Sequence, residues 1–165
     1  ISGAPFDNVS WSYEYGGAVA DAIAALKFRD ATWTARRLVE DRDGCLASWD
    51  VIVPVPLHPK RLRLRGYNQS ALLAHYIARR GQRRIDCTSL VRSRDTHPQR
   101  ELSEIGRVTN VHGAFAVRFA DGLQGQSVLL VDDVMTTGAT LRECGRLLRR
   151  AGVERVGAYV VARRS

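Results

Sequence analysis

Two acidic side chains, Asp132 and Asp133, stand side by side at the end of an apolar run in the stretch VLLVDDVMTTGATL, Val128 to Leu141. A carboxylate accepts hydrogen bonds, so an adjacent pair suits a vicinal diol. The residues that follow, Met135, Thr136, Thr137, Gly138, Ala139 and Thr140, offer the opposite chemistry. Their backbone N–H groups and three hydroxyls, placed at the start of a helix, form a receptor for an oxyanion that the helix dipole favours. Gly138 permits close approach of the backbone. One ligand with two ends reconciles these charges. The hydroxyls of a sugar phosphate meet Asp132 and Asp133, its phosphate enters the turn, and the carboxylates repel the phosphate end and so fix its orientation. They also sit where positive charge develops if the sugar's anomeric bond loosens, which is electrostatic preorganisation for a transition state. Taken singly, Asp-Asp after a strand is an ordinary solvated turn and Thr-Thr-Gly an ordinary helix cap. Their succession after four apolar residues is what makes the pattern specific.

Such residues need a scaffold that presents them together. SVLLVDD (127–133) is apolar on both faces, as a strand in the middle of a parallel sheet must be. TLRECGRLLRRAG (140–152) predicts a helix with Leu141, Cys144, Leu147, Leu148 and Ala151 on one stripe and Gly152 at its end. VERVGAYVVAR (153–163) predicts a last strand. Upstream, DVIVPVP (50–56) predicts a short buried strand, and residues 66–81 a helix with Leu73, Ala74, Ile77 and Ala78 on one face and Gly81 as its stop. CTSLVR (87–92) and AFAV (114–117) are shorter strand candidates. Strands alternating with helices predict an α/β fold, a three-layer parallel sheet flanked by helices, joined by right-handed crossovers and with ligands beyond the carboxyl ends of the strands. At 165 residues the chain is expected to form a single domain. Residues 50–165 make its core and residues 1–45 a small N-terminal cap on the sheet. The stretch 93–113 is long, polar and weakly periodic, the profile of a functional or a disordered loop.

The charge balance suits polyanionic ligands, nucleic acid among them. The net charge is +8, and 23 of the 25 basic residues are arginine, which grips phosphates bidentately; a GC-rich coding bias gives the same excess. Cys45, Cys87 and Cys144 are odd in number and widely spaced, so they read as buried thiols in a reducing compartment rather than as a zinc site or disulfide framework. No apolar run approaches the ~18 residues of a membrane span, and no signal-peptide pattern opens the chain, so the expected location is cytoplasmic. Ile1 in place of methionine fits a natural start lying upstream. His58, His75, His97 and His112 are scattered and receive no role. Tyr13, Tyr15 and Trp33 read as core aromatics first and as the floor of an acceptor pocket second.

VLLVDDVMTTGAT resembles the signature of type I phosphoribosyltransferases, with four hydrophobics, two acids, two further residues and then Thr-Thr-Gly-small-Thr. The resemblance implies that Asp132, Asp133 and the loop Met135 to Thr140 bind the ribose hydroxyls and 5-phosphate of phosphoribosyl pyrophosphate (PRPP), carried with Mg²⁺. It implies a pyrophosphate site at Lys60, Arg61 and Arg65, which follow the first core strand, with a cis bond before Pro54, Pro56 or Pro59 as an option. A flexible loop bearing Arg94, Gln99 and Arg107 would close over the reaction, with Arg92 and Arg100 beside them. The acceptor is left open, a nucleobase among the candidates. Val53 to Lys60, Arg65 to Gln69, Gln99, Arg107, Asn110-Val111, Gly113 to Phe115 and, upstream, Tyr13, Tyr15 and Lys27-Phe28 are similar to the competence protein F branch. That branch commonly opens with a four-cysteine zinc module absent from this sequence, so zinc is not carried over. It also implies an alternative, single-stranded DNA binding in DNA uptake; PRPP sensing without catalysis is a third possibility.

Overall fold

The computed structural model describes residues 5–29, 31–39, 48–95 and 111–164. Five parallel strands form one sheet in the order β1-β7-β6-β2-β3: β1 (Asn8–Glu14), β2 (Val51–Pro54), β3 (Arg84–Ile85), β6 (Ser127–Met135) and β7 (Arg155–Arg163). β4 (Leu90–Arg92) and β5 (Phe115–Val117) pair antiparallel as a separate ribbon. β6 lies between β2 and β7, and its alternation explains why it is apolar on both sides. Leu129 and Val131 join Ile52, Tyr159 and Val161 in the cluster beneath α1 (Gly17–Phe28), α2 (Thr34–Leu38) and α4 (Gln69–Gly81). Val128 and Leu130 join Val51, Val53, Val156 and Val160 in the cluster beneath α5 (Ala139–Arg150). The result is the three-layer α/β sandwich expected of the alternating pattern. Gly157 of β7 leaves space that the buried indole of Trp49 occupies.

Three elements differ from the sequence expectation. Asn8–Glu14 is not part of a cap: it extends the sheet as its edge strand, in parallel register with β7 from Asn8↔Gly157 to Glu14↔Arg163. The covering role belongs to α1, whose Ile23 and Leu26 are buried against the sheet and whose C-terminal end lies over the carboxyl end of β6. Second, the basic stretch after β2 is the helix α3 (Pro59–Arg65). Pro59 opens it where a missing N–H costs nothing, His58 accepts from Lys60 N at 3.3 Å, and Gly66 closes it at φ 85°. No peptide bond among the described residues is cis. Third, the left-handed position ending α4 falls on Gln82 (φ 52°), one residue beyond Gly81.

Candidate functional site

β6 carries its last residues past the apolar core and delivers Asp132 and Asp133 to the carboxyl end of the sheet, between the partner strands β2 and β7. The pleat points the neighbouring side chains in different directions, and the two carboxylates enter different environments. Asp132 is partly exposed as a residue, but its carboxyl group is enclosed by protein. Its Oδ1 accepts from Ser70 Oγ at 2.8 Å and from the Asp133 backbone N–H at 2.9 Å. Ser70 is 1% exposed in the first turn of α4, which Asn68 caps by accepting from Ser70 N at 3.0 Å while donating to Val55 O at 3.0 Å. Burial, reinforced by the neighbouring Asp133 charge, pushes the Asp132 carboxyl up to about 7, against the opposing pull of Ser70 and Lys27.

Asp133 departs from the expectation that both acids face a ligand. It is 4% exposed, its Oδ1 accepts from Val134 N at 2.8 Å, and its Oδ2 forms an ion pair with Lys27 from the end of α1. Lys27 is the functional residue that sequence reasoning missed as such. Its signals were that it is one of two lysines in an arginine-rich chain and stands in the Lys27-Phe28 pair, whereas the contact that defines it is long-range.

The turn after β6 is open. Met135, Thr136, Thr137, Gly138 and Thr140 are each partly exposed, and only Ala139 is buried. Gly138 sits at φ 72° as the N-cap of α5 and offers no side-chain cap, and the first turn of α5 holds no acidic residue. Thr137 Oγ1 accepts from Ala139 N at a long 3.4 Å. The positive end of a twelve-residue helix therefore faces the turn without a competing carboxylate of its own.

Cations gather beside Asp133. A pocket of about 730 Å³ is lined by Lys27, Phe28, Arg61, Leu64, Arg65, Gly66 and Tyr67. Tyr67 donates its hydroxyl to Leu26 O, which ties α1 to the turn after α3. Arg65 donates to Gln69 Oε1 and lies 5.3 Å from the Phe28 ring. Burial drives its guanidinium below the usual range, and the field of Asp133 partly offsets this. Arg61 bridges Asp95 at 3.2 Å, at the start of the polar segment. Lys60, by contrast, is exposed and outside the pocket. Arg92 stacks 5.3 Å from Phe115; burial lowers its pKa first, Arg61 lowers it further, and Asp132 opposes both. Arg94 donates to His112 O at 2.6 Å. Gln99, Arg100 and Arg107 lie outside the described residues, as does Cys45. Tyr13 and Tyr15 pack on the core, whereas Trp33 is 64% exposed.

Residues 74–165 match the phosphoribosyl transferase domain family, a span that contains the acid pair and the threonine turn. The chain belongs to this family. Within it the chain stands in the competence protein F branch of the type I phosphoribosyltransferase family. It is 36% identical over 155 residues to competence protein F of Haemophilus influenzae, covering 86% of this chain and 66% of that protein. It is 38% identical over 114 residues to the DNA utilization protein YhgH of Escherichia coli K12, covering 69% and 49%. The chain thus spans about half to two thirds of these relatives' length. Among solved structures, the glutamine PRPP amidotransferase from B. subtilis superposes with a TM-score of 0.53 at 18% identity, over 85% of this chain and 30% of that one, a likeness of fold.

Proposed function

We propose that this phosphoribosyltransferase-like domain binds PRPP and transfers its phosphoribosyl group to an acceptor with release of pyrophosphate. The observation that carries the reading is the position of the signature. Asp132 and the open turn Met135 to Thr140 sit together at the carboxyl end of the interior strand, with an uncapped helix end behind the turn. In this reading the turn amides and threonine hydroxyls hold the 5-phosphate and Asp132 accepts from a ribose hydroxyl. Arg61 and Arg65 receive the pyrophosphate; the exposed Lys60 plays a lesser part. The acid pair stabilises the cationic sugar as the C1–O bond breaks. Among the described residues no three acids, histidines or cysteines cluster as a metal cage. The donor set fits Mg²⁺ held mostly by substrate oxygens and water, with Asp132 as the carboxylate that would assist; when bound, it would neutralise charge on the departing pyrophosphate. The free thiols Cys87 and Cys144 suit a reducing compartment, and we assign the protein to the cytoplasm.

The test is calorimetric titration with Mg-PRPP, followed by release of pyrophosphate in the presence of candidate nucleobases. Binding with turnover is expected, and replacing both acids is expected to cost at least ~10²-fold in rate. Heat without pyrophosphate release under any base would identify a sensor, and absence of heat refutes the reading altogether.

A second reading, single-stranded DNA binding, draws on the relatives' names and on two exposed tryptophans beside arginines. Trp11 lies 4.0 Å from the Arg163 guanidinium and Trp33 lies 5.5 Å from that of Arg37. Aromatic faces paired with cations are stacking platforms for bases. Steeply salt-dependent binding of an oligonucleotide that weakens in Trp11→Ala and Trp33→Ala would favour it.

A further inference from the structure

Lys27 occupies two environments at once. Its ammonium neutralises Asp133 in a buried ion pair, and its side chain also lines the pocket that holds Arg61 and Arg65. Of the three pocket cations, Lys27 is balanced by Asp133 and Arg61 by Asp95. Arg65 is held by the neutral amide of Gln69 and the ring of Phe28, while the fields of Asp133 and Tyr67 oppose the effect of its burial. Among the described residues the pocket therefore carries one positive charge in excess, on a guanidinium already partly stripped of water. Such a charge attracts an anion strongly, because less hydration has to be removed when the anion arrives.

We propose that Lys27 is a positioning residue that changes partner. In the free protein it covers Asp133. A pyrophosphate group drawn in by Arg65 and Arg61 competes for its ammonium, and Lys27 turns from the carboxylate to the phosphate oxygens. Asp133 is then free to accept from a ribose hydroxyl, beside Asp132. The acid pair thereby becomes available to the sugar only when the leaving group is in place, which couples the two ends of the ligand. This rests on the PRPP reading of the site and adds to it an order of events. The chemistry asks nothing unusual of the side chain: lysine is a flexible point charge whose three donors need no fixed geometry, unlike a guanidinium fork. Tyr67 fastens the end of α1 through Leu26 O, so the helix can stay still while the side chain swings.

The full-length chain is titrated with two separate halves of the ligand, magnesium pyrophosphate and ribose 5-phosphate, each alone and each in the presence of the other. In the wild type each half is expected to tighten the other at least ~5-fold, the reciprocal signature of linked sites. In Lys27→Met the pyrophosphate affinity falls and the coupling disappears, while Lys27→Arg retains part of both. Asp133→Asn gives the less intuitive result: with its competitor removed, Lys27 is released and pyrophosphate binds more tightly than in the wild type, whereas ribose 5-phosphate binds more weakly. This variant keeps the lysine and removes a buried charge, so it decides the matter even if Lys27→Met folds poorly. Independent binding of the two halves in the wild type, or weakened pyrophosphate binding in Asp133→Asn, overturns the switch. Failure of both halves to bind the wild type at all would instead overturn the PRPP reading beneath it.

Discussion

The central carboxyl group of the site is expected to destabilise the fold near neutral pH, and Asp132→Asn measures by how much. Asp132 is pushed up to about 7 by burial and by its neighbour Asp133, from an ordinary value of 3.8. The folded state therefore holds a proton that the unfolded chain has lost, and stability falls as pH rises through that interval. The contribution is fully present below the unfolded pKa and is gone above the folded one. Asp50, Asp86 and Glu143 are shifted the other way by their hydrogen bonds, so their contributions are lost only in acid, below about pH 5. Between pH 5 and 8 the Asp132 contribution spans about two pH units, or at most about 3 kcal/mol. Asparagine keeps an oxygen for Ser70 Oγ and the Asp133 N–H but never ionises. The variant already exceeds the wild type at pH 5, which lies above the unfolded pKa, and its advantage is expected to grow by up to this amount between pH 5 and pH 8, about 6–12 °C in midpoint for a chain of this size. Urea or thermal unfolding at the two pH values is the assay. An Asp132→Asn variant less stable than the wild type at pH 8, or a wild type equally stable at both values, refutes the reasoning.

Three further substitutions probe the supports of the site. Ser70→Ala removes the hydrogen bond that restrains the Asp132 pKa, so the pH at which the wild type loses stability moves up, with a loss of about 1 kcal/mol at low pH; an unchanged pH profile would contradict it. Gly138→Ala forces a side chain into φ 72°, with its Cβ 3.1 Å from the Arg142 guanidinium, and is expected to cost about 1–2 kcal/mol in urea unfolding and to weaken phosphate binding. Gly157→Ala places a methyl inside contact distance of the buried Trp49 indole and is expected to cost about 1–3 kcal/mol, with a shifted tryptophan emission as the local report.

The parts of the fold that were legible in the sequence are those whose signal is local. β6 and α5 were readable because an uninterrupted apolar run and a 3.6-residue stripe leave few alternatives, and the threonine turn between them inherits its position from both. β1 was not legible as a sheet strand: NVSWSYE is half exposed, and only pairing with β7 reveals it. α3 was missed because PKRLRLR buries none of its residues, so no apolar stripe marks it, and its helicity rests on Pro59, His58 and Gly66 at its ends. The acid pair was legible as a motif, but the division of labour within it was not. Ser70 and Lys27 reach the two aspartates from α4 and α1, and nothing local to Asp132 or Asp133 foretells either contact.

That division has a consequence for ligand binding. Adjacent carboxyl groups in unlike surroundings take different protonation states, and their roles follow. Asp133 is matched by a cation, whereas Asp132 is restrained by a neutral hydroxyl and holds its proton up to about 7. A ligand that brings Mg²⁺ and develops positive charge at the sugar favours the ionised form of Asp132, so binding near pH 6.5 must expel a proton that is already gone at pH 8. Calorimetric titration of Mg-PRPP in buffers of different ionisation enthalpy counts those protons. Subtracting the Asp132→Asn result removes protons released by the ligand's own phosphates. The difference between the two proteins is expected to be a sizeable fraction of one proton at pH 6.5 and close to none at pH 8. A difference that is zero at both pH values would mean that Asp132 is already ionised in the free protein, and the strain attributed to its burial would have to be sought elsewhere at the end of β6.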